Sequence, residues 1–175
     1  MRRKDREMSR EFGLDVIDNA VYGVLGLIDR EGKPYTLPLS LVRDGEILYF
    51  HGAKEGKKAD LIPLNETVSV SFVSYAEVPR LYDKETIRGF IEDGAVRALT
   101  SKVFTTEFAS AHVEGSIERV DDIEEKKHAL RLICNKYTPD LSDLAPVVIE
   151  KSYGYTAVYR IRIKTLSAKS KRLTK

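Results

Sequence analysis

The chain reads as a mainly β protein, a six-stranded antiparallel barrel with a few helices. Three observations predict it. Short runs rich in Val, Ile, Leu, Tyr and Phe are bounded by Gly- and Asp-containing turns. Most of these runs follow one another closely enough to be hairpin partners. Few helical patterns lie between them, so a doubly wound parallel sheet, which alternates strand and helix, is excluded.

Each element has its own reason. From Asp5 to Ala20 the apolar residues Met8, Phe12, Val16 and Ile17 recur near helical spacing, and Ser9 or Asp5 can cap the start. Val21 to Ile28 is an apolar β-rich run that ends at Asp29 to Gly32, a turn sequence. Tyr35 to Val42 and Ile47 to His51 follow as strands, with Asp44 and Gly45 turning between them. Pro38 cannot donate to a ladder, so its strand is expected at an edge or a bulge, with backbone left free for a ligand.

After His51 the chain becomes small and basic through Asn65, and Lys58 to Ile62 reads as a short helix closed by Pro63. Val68 to Tyr75 alternates Val and Phe with Ser, the pattern of a half-buried strand. Residues 76–102 form a charged excursion with one short helix around Lys84 to Ile91. Strand signals resume from Val103 to Val120. Asp121 and Asp122 then open an amphipathic helix through Tyr137, with acids first and bases last as the helix dipole prefers. Thr138 and Pro139 stop it, and a polar loop through Pro146 leads to a final strand, Tyr155 to Leu166. No repeat or linker divides these parts, and the whole of 1–175 is expected as one domain with a basic, solvated C-terminal tail of Lys164, Lys169, Lys171, Arg172 and Lys175.

Composition narrows the function classes. The formal net charge of +2 gives no field that would select nucleic acid. The basic opening has no apolar run behind it, so neither a signal peptide nor a spanning helix is expected, and no membrane partner. Cys134 is the lone cysteine, which fits the reducing cytoplasm expected for this chain, and it falls in the apolar pattern of Ala129, Leu130, Leu132 and Ile133 as a buried structural thiol. No cluster has metal-ligand spacing, so no metal is predicted.

The segment richest in chemistry is Leu48 to Asp60, where a strand runs into a small-residue turn and Lys57 and Lys58 open a helix. A helix start offers unpaired N–H groups and a positive dipole end, and two ammonium groups add formal charge against a phosphate. Gly52 and Gly56 let a ligand approach the backbone. The plain alternative is two solvated lysines after a turn.

Tyr49 to Ala53, followed by Glu55 to Lys58, Leu61 and Asn65 to Val70, resembles the nitroimidazole-resistance branch of the pyridoxamine 5'-phosphate oxidase-like flavoproteins. The resemblance extends over nearly the whole chain, through Met1 to Glu7, Thr36 to Leu39, Phe108 to Gly115, Glu124 to Leu130 with Tyr137 to Pro139, and Val158 to Ile163. It implies a split barrel that dimerises and holds FMN in clefts between the subunits. Lys57 and Lys58 would clamp the FMN phosphate. Pro38, Leu39 and Ser40, with His51, Gly52 and Ala53, would line the ring and ribityl chain. Ser110 matches a polar position that faces the flavin in oxidase-type relatives, or is an ordinary outward strand position. His51 matches a histidine near the reactive face, where an imidazole could protonate an acceptor, or it packs at the barrel rim. His112 and His128 are expected to be structural or exposed.

The activity so implied is FMN-dependent reduction of a small electron-poor acceptor, such as a nitroaromatic, with reduced nicotinamide as a candidate donor. Two other readings stand beside it. One is a flavin- or haem-binding module without turnover. The other, pyridoxamine phosphate oxidation, needs a second cationic set that the sequence does not offer.

Overall fold

The computed structural model describes residues 3–173, so Met1, Arg2 and Lys175, which entered the readings above, lie outside the described residues. The chain runs β1 (Glu7–Met8), α1 (Arg10–Asn19), β2 (Gly23–Ile28), β3 (Pro34–Leu39), β4 (Val42–Asp44), β5 (Ile47–Gly52), α2 (Lys57–Leu61), β6 (Thr67–Glu77), α3 (Lys84–Glu92), α4 (Val96–Lys102), β7 (Glu107–Arg119), α5 (Ile123–Tyr137), α6 (Ala145–Ser152) and β8 (Ala157–Lys171). All strand pairings are antiparallel, in the order β3-β2-β6-β7-β8-β5-β4, with β1 added alongside β8.

That order makes the sheet a barrel. Laid flat, its seven strands would hold β3 and β4 about 29 Å apart. Leu39 and Val42 are joined by Ser40 and Leu41 alone, a reach of at most about 11 Å. The sheet must therefore curl until its two edges meet. They make no ladder with each other, so the barrel stays split there.

The interior is filled by Leu25, Leu48, Phe50, Val70, Phe72, Val113 and Ile161, with Val16 and Ile17 of α1 packed among them. Full burial of each such side chain is worth about 1.5–3 kcal/mol. A second core lies outside the barrel, where Val42, Tyr49 and Val158 are covered by Ala129, Leu130 and Ile133 of α5 and Ala145 and Ile149 of α6. The crossing from β3 to β4 is pinned from this layer. The Lys136 ammonium donates to the carbonyls of Leu41 at 3.0 Å and Ile17 at 3.2 Å, and the Tyr137 hydroxyl donates to Leu41 at 2.8 Å.

Several expectations are corrected. Among the described residues the sheet has eight strands, because β1 and β4, of two and three residues, escape periodicity analysis. The strand expected from Tyr35 to Val42 is two strands on opposite edges, since Ser40 and Leu41 carry the chain across the split. Helix α1 begins only after Ser9, whose hydroxyl caps Phe12; Met8, though in helical phase, belongs to β1. The excursion holds two helices, α3 and α4, rather than one, and β7 begins at Glu107 because Val103 still caps α4. The expected loop before the last strand contains α6, with Pro146 in the first turn where its missing N–H costs nothing. The basic tail is no solvated end as far as Lys171, because β8 runs that far against β7. Pro38 does sit on an edge strand, opposite Val24, and Asp122 caps α5 as expected. Cys134 is half-buried rather than buried.

Candidate functional site

The alternation of β5 positions the site. Leu48 and Phe50 face the barrel interior and Tyr49 faces α5, so Gly52 continues the inner face and His51 the outer. The Thr156 hydroxyl donates to the Gly52 carbonyl at 2.6 Å, holding the strand end as the chain leaves the sheet. Gly56, at φ 98°, makes the turn into α2 in a conformation that side chains rarely adopt.

The two lysines of α2 part from each other. The Lys57 ammonium lies 4.4 Å from the centre of the Tyr35 ring on β3. The Lys58 ammonium turns back over β5, 5.6 Å from the Phe50 ring, and occupies space that a side chain at position 52 would fill: a Cβ on Gly52 would lie 1.8 Å from it. Neither ammonium has a carboxylate or hydrogen-bond partner among the described residues. Partial burial pushes the Lys58 pKa down. A half-buried cation facing only a ring, an interaction worth about 0.5–2 kcal/mol, is incompletely compensated and suits an arriving anion.

His51, exposed on the opposite face of β5, still feels this charge. Loss of solvent, and secondarily the Lys58 charge, hold its imidazole below the ordinary histidine range. At neutral pH it is therefore a neutral ring, able to donate from one nitrogen and accept at the other. Behind β5, the buried Tyr49 hydroxyl donates to Glu125 at 2.9 Å, and Arg160 bridges Glu125 and Glu118. Burial first, and Glu125 second, push the Tyr49 pKa up to about 12, so this network is a fixed donor-acceptor scaffold under the site.

The other predicted positions are not gathered here. Pro38, Leu39 and Ser40 line an open groove of about 600 Å³ with Val21, Tyr22, Val24 and Tyr137. Ala53 is an exposed turn residue. Ser110 lies on β7 in a separate groove. Lys54, three residues before Lys57, faces yet another groove of about 330 Å³ with Arg119 and Tyr159. Of the other histidines, His128 bonds Asp44 at 2.8 Å. Sequence reasoning missed Tyr22, Tyr137 and the Tyr49 network; the signal available was the exposed pair Val21 and Tyr22 beside the Pro38 edge. Among the described residues no group of three or more His, Cys, Asp or Glu side chains could hold a metal ion. None of their helices is long and apolar enough to cross a membrane.

Comparison with known proteins places these features. Residues 9–170 match the family model described as pyridoxamine 5'-phosphate oxidase. The fold is similar to that of a protein assigned to 5-nitroimidazole antibiotic resistance from Bacteroides thetaiotaomicron, at 22% identity and TM-score 0.69, covering 94% of this chain and 86% of that one. It is similar to an FAD and haem binding protein from Mycobacterium smegmatis, at 18% identity and TM-score 0.74, over 96% and 74% of the two chains. It also resembles an FAD-binding protein from Mesorhizobium loti, at 20% identity and TM-score 0.57, over 95% and 98%. No curated protein matches the sequence.

Proposed function

The chain belongs to the pyridoxamine 5'-phosphate oxidase family, and from that premise we propose that it is an FMN-dependent oxidoreductase that reduces a small electron-poor acceptor, such as a nitroaromatic. The observation that carries this reading is the Lys58 ammonium, half-buried against Gly52 and Phe50 and without a carboxylate partner among the described residues. The residues fit the cofactor. Lys58 and Lys57 supply two cations for its phosphate, and Tyr35 offers an aromatic face beside them.

When bound, the flavin supplies the hydride and electron transfer. The chain's own residues bind, orient and hydrogen-bond. His51, neutral at rest, holds a ring nitrogen toward the acceptor; a phosphate paired with Lys58 would relieve one of the two causes that keep the imidazole deprotonated, and so favour its use as a proton donor. The predicted lining residues are spread over separate parts of one protomer. A homodimer resolves this, because the unpaired β3 edge and the exposed Val21 and Tyr22 form a surface that a twofold partner would cover, bringing lining residues of two chains onto one flavin. Reduced nicotinamide is the proposed donor, and the cytoplasm the proposed compartment. The likeness to an FAD and haem binding protein supports a second reading, a cofactor-binding module in which a neutral His51 could ligate haem iron.

Absorbance of the purified protein, with mass spectrometry of the released cofactor, tests the proposal. A blue-absorbing flavin of the mass of FMN is expected, and its reduced form should be reoxidised by a nitroaromatic in stopped flow. A Soret band without flavin would establish the second reading. Failure of the protein to take up added FMN would overturn the first.

A further inference from the structure

Two side chains are buried almost to their ends and still lack a polar partner. The ring of Tyr159 belongs to the barrel core, 4% exposed and stacked on Phe50 with 5.1 Å between centres, yet among the described residues its hydroxyl makes no hydrogen bond. Lys126 lies on the same stripe of α5 as Ala129, Leu130 and Ile133, so its stem packs into the outer core and the residue is 9% exposed. Its ammonium has no carboxylate or hydrogen-bond partner among the described residues either. No side-chain nitrogen or oxygen of the described residues is both sealed from the surface and unpaired, so each of these groups opens outward at its tip.

The Tyr159 hydroxyl opens onto the groove of about 330 Å³ that Lys54 and Arg119 line. Arg119 stands opposite Tyr159 in the β7–β8 register, which puts both side chains on one face of the sheet. The same two cations act on Lys126: loss of solvent first, then the charges of Lys54 and Arg119, push its pKa down, and Asp121 alone opposes them. The acids nearby do not balance this set. Glu118 is committed to Arg160 at 2.7 Å and Arg162 at 3.4 Å, and Asp121 reaches only the Arg119 Nε, at 3.5 Å, leaving the two terminal nitrogens of that guanidinium. Glu66 lines the groove without an ion pair among the described residues. Lys54, Arg119 and Lys126 against Glu66 and Asp121 leave a positive excess where burial limits what water can compensate.

Four donors therefore converge from the turn before α2, from β7, from β8 and from α5. A carboxylate is planar and offers two oxygens, whereas a phosphate group presents its acceptor oxygens in a tetrahedron and meets donors arriving from several directions. We propose that this groove binds the phosphate group of a small ligand, with Lys54 and Arg119 as its ion partners, the Tyr159 hydroxyl donating to one of its oxygens and Lys126 adding charge from the outer core. None of these four residues is among the positions assigned to the flavin.

The test is a titration of the full chain, first loaded with FMN, with inorganic phosphate, followed by amide NMR at constant ionic strength, with acetate as the planar control. FMN uptake is read separately from visible absorbance; without uptake the same titration is made on the chain alone, so this proposal and the proposed function fail independently. Saturable shifts with phosphate are expected at Lys54, Arg119, Lys126 and Tyr159. Arg119→Met should weaken phosphate binding by about tenfold or more, as expected for loss of a charge-assisted hydrogen bond, and Tyr159→Phe, which keeps the ring on Phe50, by about fivefold. Lys54 is an exposed turn residue, so Lys54→Met should fold whatever the other variants do, and it should also weaken binding. Absence of saturable shifts at these four residues, shifts confined to residues 57 and 58, or unchanged phosphate affinity in folded Lys54→Met and Arg119→Met would overturn the assignment. Acetate binding as tight as phosphate would overturn the choice of ligand.

Discussion

Gly52→Ala places a methyl group where the Lys58 ammonium now lies. The new Cβ would stand 1.8 Å from Nζ and 2.8 Å from Cε, both far below contact distance, so the lysine must move. The fold should hardly notice. The clash is with the far end of a flexible side chain, and Gly52 has no left-handed backbone to lose. Cofactor affinity should fall, because a displaced ammonium forfeits a charge-assisted hydrogen bond worth about 1.5–3 kcal/mol, which is roughly a 10- to 150-fold rise in Kd. Titration of FMN into apoprotein, followed by quenching of flavin fluorescence, measures it. Lys58→Met should cause a similar loss, and the double variant should be no worse than Lys58→Met alone, since both changes remove one interaction. A Gly52→Ala protein that binds FMN within about twofold of wild type would refute the placement of Lys58 at the phosphate. Additive losses in the double variant would show that position 52 acts by touching the cofactor itself.

Two further outcomes are expected. Lys58→Met should raise the His51 pKa toward, but not to, the ordinary histidine value, because loss of solvent is the larger cause and persists; NMR titration of the imidazole reads it, and an unmoved or lowered pKa would contradict the assignment. The same shift sets a sign for stability. A folded-state pKa below the unfolded value of about 6.5 means that the unfolded chain binds protons first, so this group costs stability as pH falls below about 6.5, and the cost should be smaller in Lys58→Met, as urea denaturation across that range would show. Gly115→Ala should destabilise the barrel by about 1–3 kcal/mol in urea, since its Cβ would meet the Arg162 carbonyl oxygen at 2.3 Å and Ile161 Cγ2 at 2.8 Å at the β7–β8 bulge; a loss under about 0.5 kcal/mol would mean that the bulge relaxes freely.

What the sequence determined by itself was everything set by short-range pattern. Alternation marked the main strands, Ser9 and Asp122 marked helix starts, and Pro38 marked an edge, because caps, pleat and proline chemistry act within a few residues. The adjacent Lys57 and Lys58 were legible for the same reason. Their division of labour was not: Lys57 faces Tyr35 from β3 while Lys58 returns over Gly52 and Phe50, and which strand stands beside a helix depends on how the sheet curls. Curl is a property of the whole strand order, visible only once β3 and β4 prove to be opposite edges joined by Ser40 and Leu41. The meeting of strands β6, β7 and β8 is more remote still from sequence. Ser71, His112 and Ser167 are far apart in the chain and meet because two antiparallel registers align them on one row, and a slip of one residue in either would have turned His112 into the core.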